Sequence, residues 1–135
     1  RHLLPRESPV FLLVFLHVDG STSRGFFRSP LEYVVWATRC ARRGDLIAFT
    51  TGPQFAPNGA VCYLWTVKSD GSNRATNLTA GKFRNNAFPD LTADGKEMVF
   101  HSTRDGNKEL YLMNSDGTHV RLITNDAEDD TIPCI

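Results

Sequence analysis

The sequence repeats itself, and the spacing of that repeat constrains the fold more than any other feature. The segment 64–73 (LWTVKSDGSN) matches 110–119 (LYLMNSDGTH) at a constant offset of 46 residues. In both copies a leucine, an aromatic residue and an apolar residue precede Ser-Asp-Gly and a hydroxyl side chain. Self-similarity with a period of about 20–50 residues is typical of solenoids, propellers and related arrays.

The match extends on both sides of this segment. Residues 44–50 align with 95–101 at an offset of 51, and Ile132-Pro133 repeats Phe88-Pro89 at an offset of 44. The unequal offsets come from a longer insert in the first copy, at 52–59. A period of 44–51 residues with several short strands in each period predicts β-propeller blades.

Each period divides into strands and tight turns. The segments 97–102, 109–114 and 120–124 are rich in β-branched and aromatic residues, and Asp-Gly pairs lie between them. Asp-Gly between apolar runs is a strong hairpin signal, because glycine accepts a positive φ. A short fourth strand is predicted at 88–91, and no amphipathic helical stretch exceeds ten residues. We therefore predict an all-β chain of four-stranded antiparallel meanders, about two and a half repeats of an incomplete ring.

A specific pattern runs through the second period. It consists of Pro89, Asp94-Gly95-Lys96, Met98-Val99-Phe100, Ser102-Thr103-Arg104-Asp105-Gly106, Leu110-Tyr111-Leu112-Met113-Asn114, Asp116-Gly117-Thr118 and Ile123-Thr124. This pattern resembles the TolB-type propeller repeat, which also occurs in the N-terminal propellers of dipeptidyl-peptidase-IV-like proteins. With the weaker first copy the resemblance covers about 44–135, and the whole is similar to uncharacterised plant and bacterial TolB-like proteins. Leu91 and Thr92-Ala93 depart from the usual aromatic and Ser-Pro.

The repeat suggests a division of the chain. We predict a divergent segment at 1–40 that could contain a degraded blade, repeats at 41–80 and 81–125, and the start of a further repeat at 126–135. The chain opens with Arg1 and ends in an apolar stretch, so we expect a fragment. An unclosed set of blades leaves apolar faces uncovered, which predicts self-association.

One apolar run, 10–18, is about half the ~20 residues that span a bilayer, so we predict no membrane span. A buried strand is the favoured interpretation, and the remnant of a signal-peptide core is the alternative. Asn77-Leu78-Thr79 is an N-glycosylation sequon, whose use requires secretion. We favour a secreted or periplasmic location.

The composition gives little support for catalysis, metal binding or nucleic-acid binding. Fifteen basic and fifteen acidic side chains leave no net charge to attract a polyanion. Cys40, Cys62 and Cys134 lack the spacing of metal ligands, and their disulfide state stays open. The acidic run 126–130 lacks the pattern of a calcium loop and is interpreted as solvated. We predict no catalytic residues, no metal and no cofactor.

The meander topology predicts one face with long loops. Loops 51–61, 80–87, 103–108 and 125–130 should emerge on the same side, opposite the tight turns at 70–71, 94–95 and 116–117. Loops on a rigid scaffold carry binding more often than strands do. The candidate binding residues are Arg84, Asn85, Asn86, Arg104, Asp105, Asn107, Asp126 and Asp129. Ordinary solvated loops are the alternative interpretation of this face.

Three functional hypotheses follow. The first is a non-enzymatic propeller module that binds protein or peptide through the long-loop face. The second, implied by the resemblance, is a propeller segment of a prolyl-oligopeptidase-type serine peptidase whose catalytic domain is absent. The third is a truncated chain with no independent function.

Overall fold

The computed structural model describes residues 45–53, 59–72, 74–81 and 84–135 together with the backbone of three strands between residues 10 and 40. All of its regular elements are strands. They are β1 (Val10–Leu16), β2 (Thr22–Arg28), β3 (Val35–Cys40), β4 (Leu46–Thr51), β5 (Tyr63–Lys68), β6 (Thr76–Asn77), β7 (Asn86–Leu91), β8 (Glu97–Ser102), β9 (Glu109–Asn114) and β10 (Arg121–Leu122).

The strands form three antiparallel sheets, each assembled in chain order. β1 and β2 form a hairpin, β3–β6 form a four-stranded sheet that we call the first blade, and β7–β10 form the second blade. The predicted fold class, all-β with four-stranded meanders, is confirmed. The segment predicted as a strand at 10–18 is β1, and its side chains lie outside the described residues. The division of the chain at residues 40, 80 and 125 stays a prediction.

The Asp-Gly hairpins form as predicted. Gly117 has a φ of +89°, and the carboxylate of Asp116 accepts a hydrogen bond from the amide of Thr118 at 2.9 Å. In the first blade Gly71 has a φ of +74°, and Asp70 accepts from the amide of Ser72 at 2.8 Å. Both turns reverse the chain between strands because glycine supplies the left-handed backbone and aspartate satisfies an amide.

The repeat extends to individual hydrogen bonds. Three hydrogen bonds of the first blade have a counterpart at the equivalent position of the second. The bond from Ser69 N to Asp45 O (3.1 Å) matches that from Ser115 N to Lys96 O (2.9 Å), and the bond from Leu78 N to Leu64 O (2.8 Å) matches that from Ile123 N to Leu110 O (2.8 Å). The bond from Leu64 N to Thr79 Oγ1 (3.0 Å) matches that from Leu110 N to Thr124 Oγ1 (2.9 Å). The two blades are therefore copies in their turns and strand ends as well as in their sequence.

The main core lies between the blades. On β8 and β9 one row of side chains is buried against Ala48 and Leu64 of the first blade, and it consists of Met98, Phe100, Tyr111 and Met113. Alternation along each strand places these four on one side of the sheet, with Phe100 directly opposite Tyr111. A second cluster, Ile47, Phe49, Trp65 and Val67, fills the other face of the first blade.

Gly52, which follows β4, lies in a tightly packed part of the first blade, so substitutions there probe this packing. Its φ is +139°, and an added Cβ would lie 2.8 Å from Sγ of Cys62 and 2.9 Å from the carbonyl oxygen of Val61. We expect Gly52→Ala to lower the free energy of unfolding by roughly 2–4 kcal/mol, from backbone strain and overpacking. Urea unfolding followed by tryptophan fluorescence measures this effect.

Gly59→Ala is the matched control, because a Cβ there meets nothing within 4 Å. We expect it to change the free energy of unfolding by less than about 0.5 kcal/mol. Equal midpoints for the two variants would contradict the packing described around Gly52.

Candidate long-loop binding face

Three of the loops predicted to share one face, 80–87, 103–108 and 125–130, are joined by hydrogen bonds in the structure, and Cys62, which follows the loop 51–61, is bonded to the first of them. The amide of Asn86 donates to the carbonyl of Cys62 at 3.3 Å, and the amide of Thr103 donates to the carbonyl of Asn85 at 3.2 Å. Nδ2 of Asn107 donates to the carbonyl of Glu128 at 2.6 Å. Residues near 62, 85, 103, 107 and 128 therefore lie together, and we call this end of the blades the long-loop face.

Asn86 is the buried hub that links the two blades at this face. Its Nδ2 donates to the carbonyls of Arg84 at 3.3 Å and Cys62 at 3.4 Å. Its Oδ1 accepts from Oγ of Ser102 at 2.8 Å and from Nη2 of Arg104 at 3.3 Å. A buried amide with both ends satisfied fixes the register of the groups around it.

Arg104 is held from several sides. Its Nε donates to Oγ of Ser102 at 3.0 Å, and its Cζ lies 4.5 Å from the ring centroid of Tyr111 and 5.4 Å from that of Phe100. A guanidinium over aromatic rings gains about 0.5–2 kcal/mol. The Tyr111 hydroxyl donates a hydrogen bond to Oδ2 of Asp105. Burial is the main cause of a raised pKa of Tyr111, and this hydrogen bond raises it further. Arg104 is half-buried, and its Nη1 takes part in none of these hydrogen bonds.

Asn85 forms a second buried contact with β8. Its Oδ1 lies 3.0 Å from Nε2 of His101, and because an amide oxygen only accepts, Nε2 carries the proton in this bond. Nδ1 of His101 is buried without a hydrogen-bond partner. The centroids of the His101 and Phe88 rings are 5.4 Å apart. Burial, aided by the charge of Lys108, lowers the pKa of His101 to about 4. His101 is therefore neutral near pH 7.

Glu109, at the start of β9, anchors the acidic loop. Its carboxylate accepts from Oγ1 of Thr124 at 2.5 Å, from Nδ2 of Asn107 at 3.0 Å and from the amide of Asp126 at 3.1 Å. These hydrogen bonds hold the pKa of Glu109 below its usual value, and the bond from Thr124 has the largest effect. The amide of the preceding residue, Lys108, donates to Oδ1 of Asp129 at 2.8 Å. The loop 125–130 is thus fixed to β9 at several points.

The structure divides the predicted site residues by exposure. The exposed ones are Arg84, Asp105, Asp126 and Asp129; Arg104 and Asn107 are half-buried; Asn85 and Asn86 are buried. The buried amides hold the loops, and the other six side chains reach the surface. The sequence pattern did not indicate that Glu109 and Tyr111 support this face. Tyr111, like Ser102, does belong to the repeat motif.

Other candidate chemistry is sparse in the part of the chain that the structure describes. Those residues contain no group of three or more His, Cys, Asp or Glu side chains that could hold a metal ion. Within them no helix is long and apolar enough to cross a membrane. Cys62 and Cys134 are free thiols, and burial raises the pKa of Cys62 to about 11; the side chain of Cys40 lies outside the described residues. Oδ1 of Asn77 accepts from the amide of Thr79 at 3.0 Å, and its glycosylation stays a prediction.

Comparison with known proteins identifies the fold. No family model matches the chain. An uncharacterized protein of Agrobacterium fabrum is 38% identical over 58 residues, which are 43% of this chain and 20% of that protein. A candidate TolB structure from Agrobacterium tumefaciens matches with a TM-score of 0.61 and 22% identity over 92% of this chain and 45% of its own. TolB from Acinetobacter baumannii matches with a TM-score of 0.50 and 24% identity over 81% of this chain and 28% of its own.

These matches show that the chain has a TolB-like β-propeller fold. The chain spans less than half the length of each of these proteins. Two complete blades and a hairpin are described, and they do not close a ring.

The buried His101 predicts a specific pH dependence of stability. Its pKa is about 4 in the folded protein and about 6.5 when unfolded, so the unfolded state binds more protons between these values. Its stabilising contribution is complete above pH 6.5 and is lost as the pH falls toward 4. We expect a loss of about 2 kcal/mol between pH 7.5 and 5.0 from this group.

Urea unfolding of wild type and His101→Gln at the two pH values measures the effect. The variant lacks the titrating ring, so its stability should change less over this interval by about the same 2 kcal/mol. A parallel pH dependence for both proteins would show that His101 titrates normally.

Proposed function

We propose that this chain is a non-enzymatic β-propeller module that binds a protein or peptide through its long-loop face. The observation that carries the proposal is the immobilised guanidinium of Arg104, which is stacked on Tyr111 and bonded to Asn86 and Ser102. Arginine is enriched among the residues that dominate binding energy in protein interfaces. A side chain already fixed in place loses little entropy when a partner binds.

Arg104 retains capacity for a ligand. Its Nε and Nη2 bond within the protein, while Nη1 takes part in neither of these bonds and the side chain is only half-buried. A planar guanidinium can bind a carboxylate or a backbone carbonyl with defined geometry. The group that we propose for this position is therefore an acidic side chain, a C-terminal carboxylate or a carbonyl of a peptide.

The surrounding charges favour a peptide over a nucleic acid. Arg84 lies exposed on the same face, and so do the carboxylates of Asp105, Asp126 and Asp129. Such carboxylates repel phosphate groups, whereas a protein partner can carry charges of both signs. In this proposal the six exposed or half-buried site residues contact the partner, and Asn85 and Asn86 act as positioning residues.

The location that we propose is secreted or periplasmic. This part of the proposal rests on the resemblance to the TolB-type repeat and on the fold shared with the two TolB structures.

Peptide selection tests the proposed face directly. Random peptides displayed on phage are selected on the immobilised 135-residue chain, and the enriched peptides are synthesised for calorimetry. We expect Arg104→Lys to weaken their binding at least about tenfold, equivalent to about 1.4 kcal/mol, because lysine keeps the charge and loses the planar fork.

Arg74→Lys is the matched control, since Arg74 is an exposed arginine that follows the tight turn at 70–71. It should leave peptide affinity unchanged, and both variants should keep the wild-type circular dichroism spectrum. The proposal fails if no peptide is enriched, or if the enriched peptides bind wild type and Arg104→Lys equally well.

A further inference from the structure

Arg104 and Asp105 are adjacent residues of the long-loop face, and each keeps one hydrogen-bonding atom for a partner. Nε and Nη2 of Arg104 donate within the protein, and Nη1 takes part in neither of these bonds. Oδ2 of Asp105 accepts from the Tyr111 hydroxyl, while its Oδ1 accepts no hydrogen bond from the residues that the structure describes. Arg104 is half-buried and Asp105 is exposed. We call Nη1 of Arg104 and Oδ1 of Asp105 the donor–acceptor pair.

The backbone around the donor–acceptor pair is fixed, and the surface beside it is open. The amide of Arg104 donates to Oγ of Ser102 at 3.3 Å, and the amide of Gly106 donates to the carbonyl of Thr103 at 3.1 Å. An added Cβ at Gly106 would meet nothing within 4 Å, so the protein leaves space next to the pair. A partner that lies there finds both atoms already in position, which keeps the entropy cost of binding low.

The charges of the two side chains balance, which argues against an anionic ligand. Burial lowers the pKa of Arg104, and the neighbouring Tyr111 and Asp105 oppose this shift. The guanidinium therefore already has a carboxylate close to it. A carboxylate from a partner would share the guanidinium with that of Asp105, and two like charges brought together repel each other. A neutral acceptor adds no charge and avoids this repulsion.

The backbone of an extended peptide matches both atoms of the donor–acceptor pair. In an extended strand the N–H and the C=O of one residue point to the same side, so one neighbour can bond both of them. Nη1 of Arg104 can donate to the carbonyl, and Oδ1 of Asp105 can accept from the amide. Hydrogen bonds in which one group is charged are stronger than those between neutral groups. A carboxylate ligand would use Nη1 alone and would leave Oδ1 facing a like charge.

We propose that Arg104 and Asp105 recognise the backbone of an extended peptide, with Arg104 donating to the carbonyl and Asp105 accepting from the amide of one residue. This inference rests on the proposed function, and it selects a backbone carbonyl among the groups considered for Arg104. It also makes Asp105 the residue that recognises the peptide amide. Because every residue except proline carries this amide, the pair accepts any side chain at that position and excludes proline alone.

Backbone substitution in selected peptides tests this recognition. Random peptides are selected on the immobilised 135-residue chain from two displayed libraries, one of which presents free C-termini so that a carboxylate ligand can compete. Each enriched peptide is synthesised with an ester in place of each amide in turn, which removes the N–H and keeps a carbonyl. Calorimetry gives the Kd of every peptide for wild type, Asp105→Ala and Asp45→Ala. Asp45→Ala is the matched control, since Asp45 is an exposed aspartate before β4, at the opposite end of the blade.

We expect one ester position to weaken binding to wild type at least about tenfold, because it leaves the carboxylate of Asp105 without its donor. The same ester should change the Kd for Asp105→Ala less than about twofold, since the acceptor is already missing, and should keep its full effect in Asp45→Ala. Proline should be depleted at that peptide position. Neutralising any carboxylate of the peptide, by an amide side chain or C-terminal amidation, should change the Kd less than about threefold.

Equal effects of the ester in wild type and Asp105→Ala, or no sensitive ester position, overturn the inference. A large loss of affinity when a peptide carboxylate is neutralised also overturns it, in favour of an acidic ligand. In these cases the proposed function still stands if Arg104→Lys weakens binding. If no peptide is enriched, or none depends on Arg104, the proposed function fails and this inference fails with it. If Asp105→Ala loses the wild-type circular dichroism spectrum, the ester scan and the depletion of proline on wild type decide alone.

Discussion

The packing of one blade on the next is the interaction on which the rest of this structure depends. A four-stranded sheet of this composition is apolar on both sides, and neither side can remain in water without cost. The row formed by Met98, Phe100, Tyr111 and Met113 removes one face of each blade from solvent at once. Because this contact also fixes where β7 lies against the first blade, it sets the positions of Asn86 and Arg104. The geometry of the long-loop face is thus a consequence of the core beneath it.

Local signals predicted the parts of the fold that depend on local chemistry. The predicted segments 97–102 and 109–114 coincide with β8 and β9, because the Asp-Gly turns that bound them need only nearby residues. β10 is shorter than the predicted 120–124, and β3 had no recognisable motif. The burial of Asn85 and Asn86 could not be foreseen, because it depends on Cys62, Ser102 and His101, which lie 16 to 24 residues away.

The long-loop face is both rigid and exposed, because its buried polar residues hold the loops while its other polar residues reach the solvent. The buried side-chain amides and the carboxylate of Glu109 form hydrogen bonds with backbone groups of the loops. The loops are therefore held in place as firmly as the ends of the strands. The exposed carboxylates and Arg104 then stand at fixed separations. Under the proposed function, such a surface would select partners by geometry, because binding orders few groups and the fixed loops cannot adapt far to a poorly matched ligand.

The left-handed backbone at Phe88 also bears on how the array folds. Such a conformation in a bulky residue stores about 1–3 kcal/mol of strain, which only the surrounding contacts can offset. Here those contacts come from the neighbouring blade, through Cys62 and the strands β3, β4 and β5 of the first blade. A blade detached from its predecessor would keep the strain and lose the compensation. The contact between the blades therefore couples their folding, and we expect the two blades to unfold together in one cooperative transition.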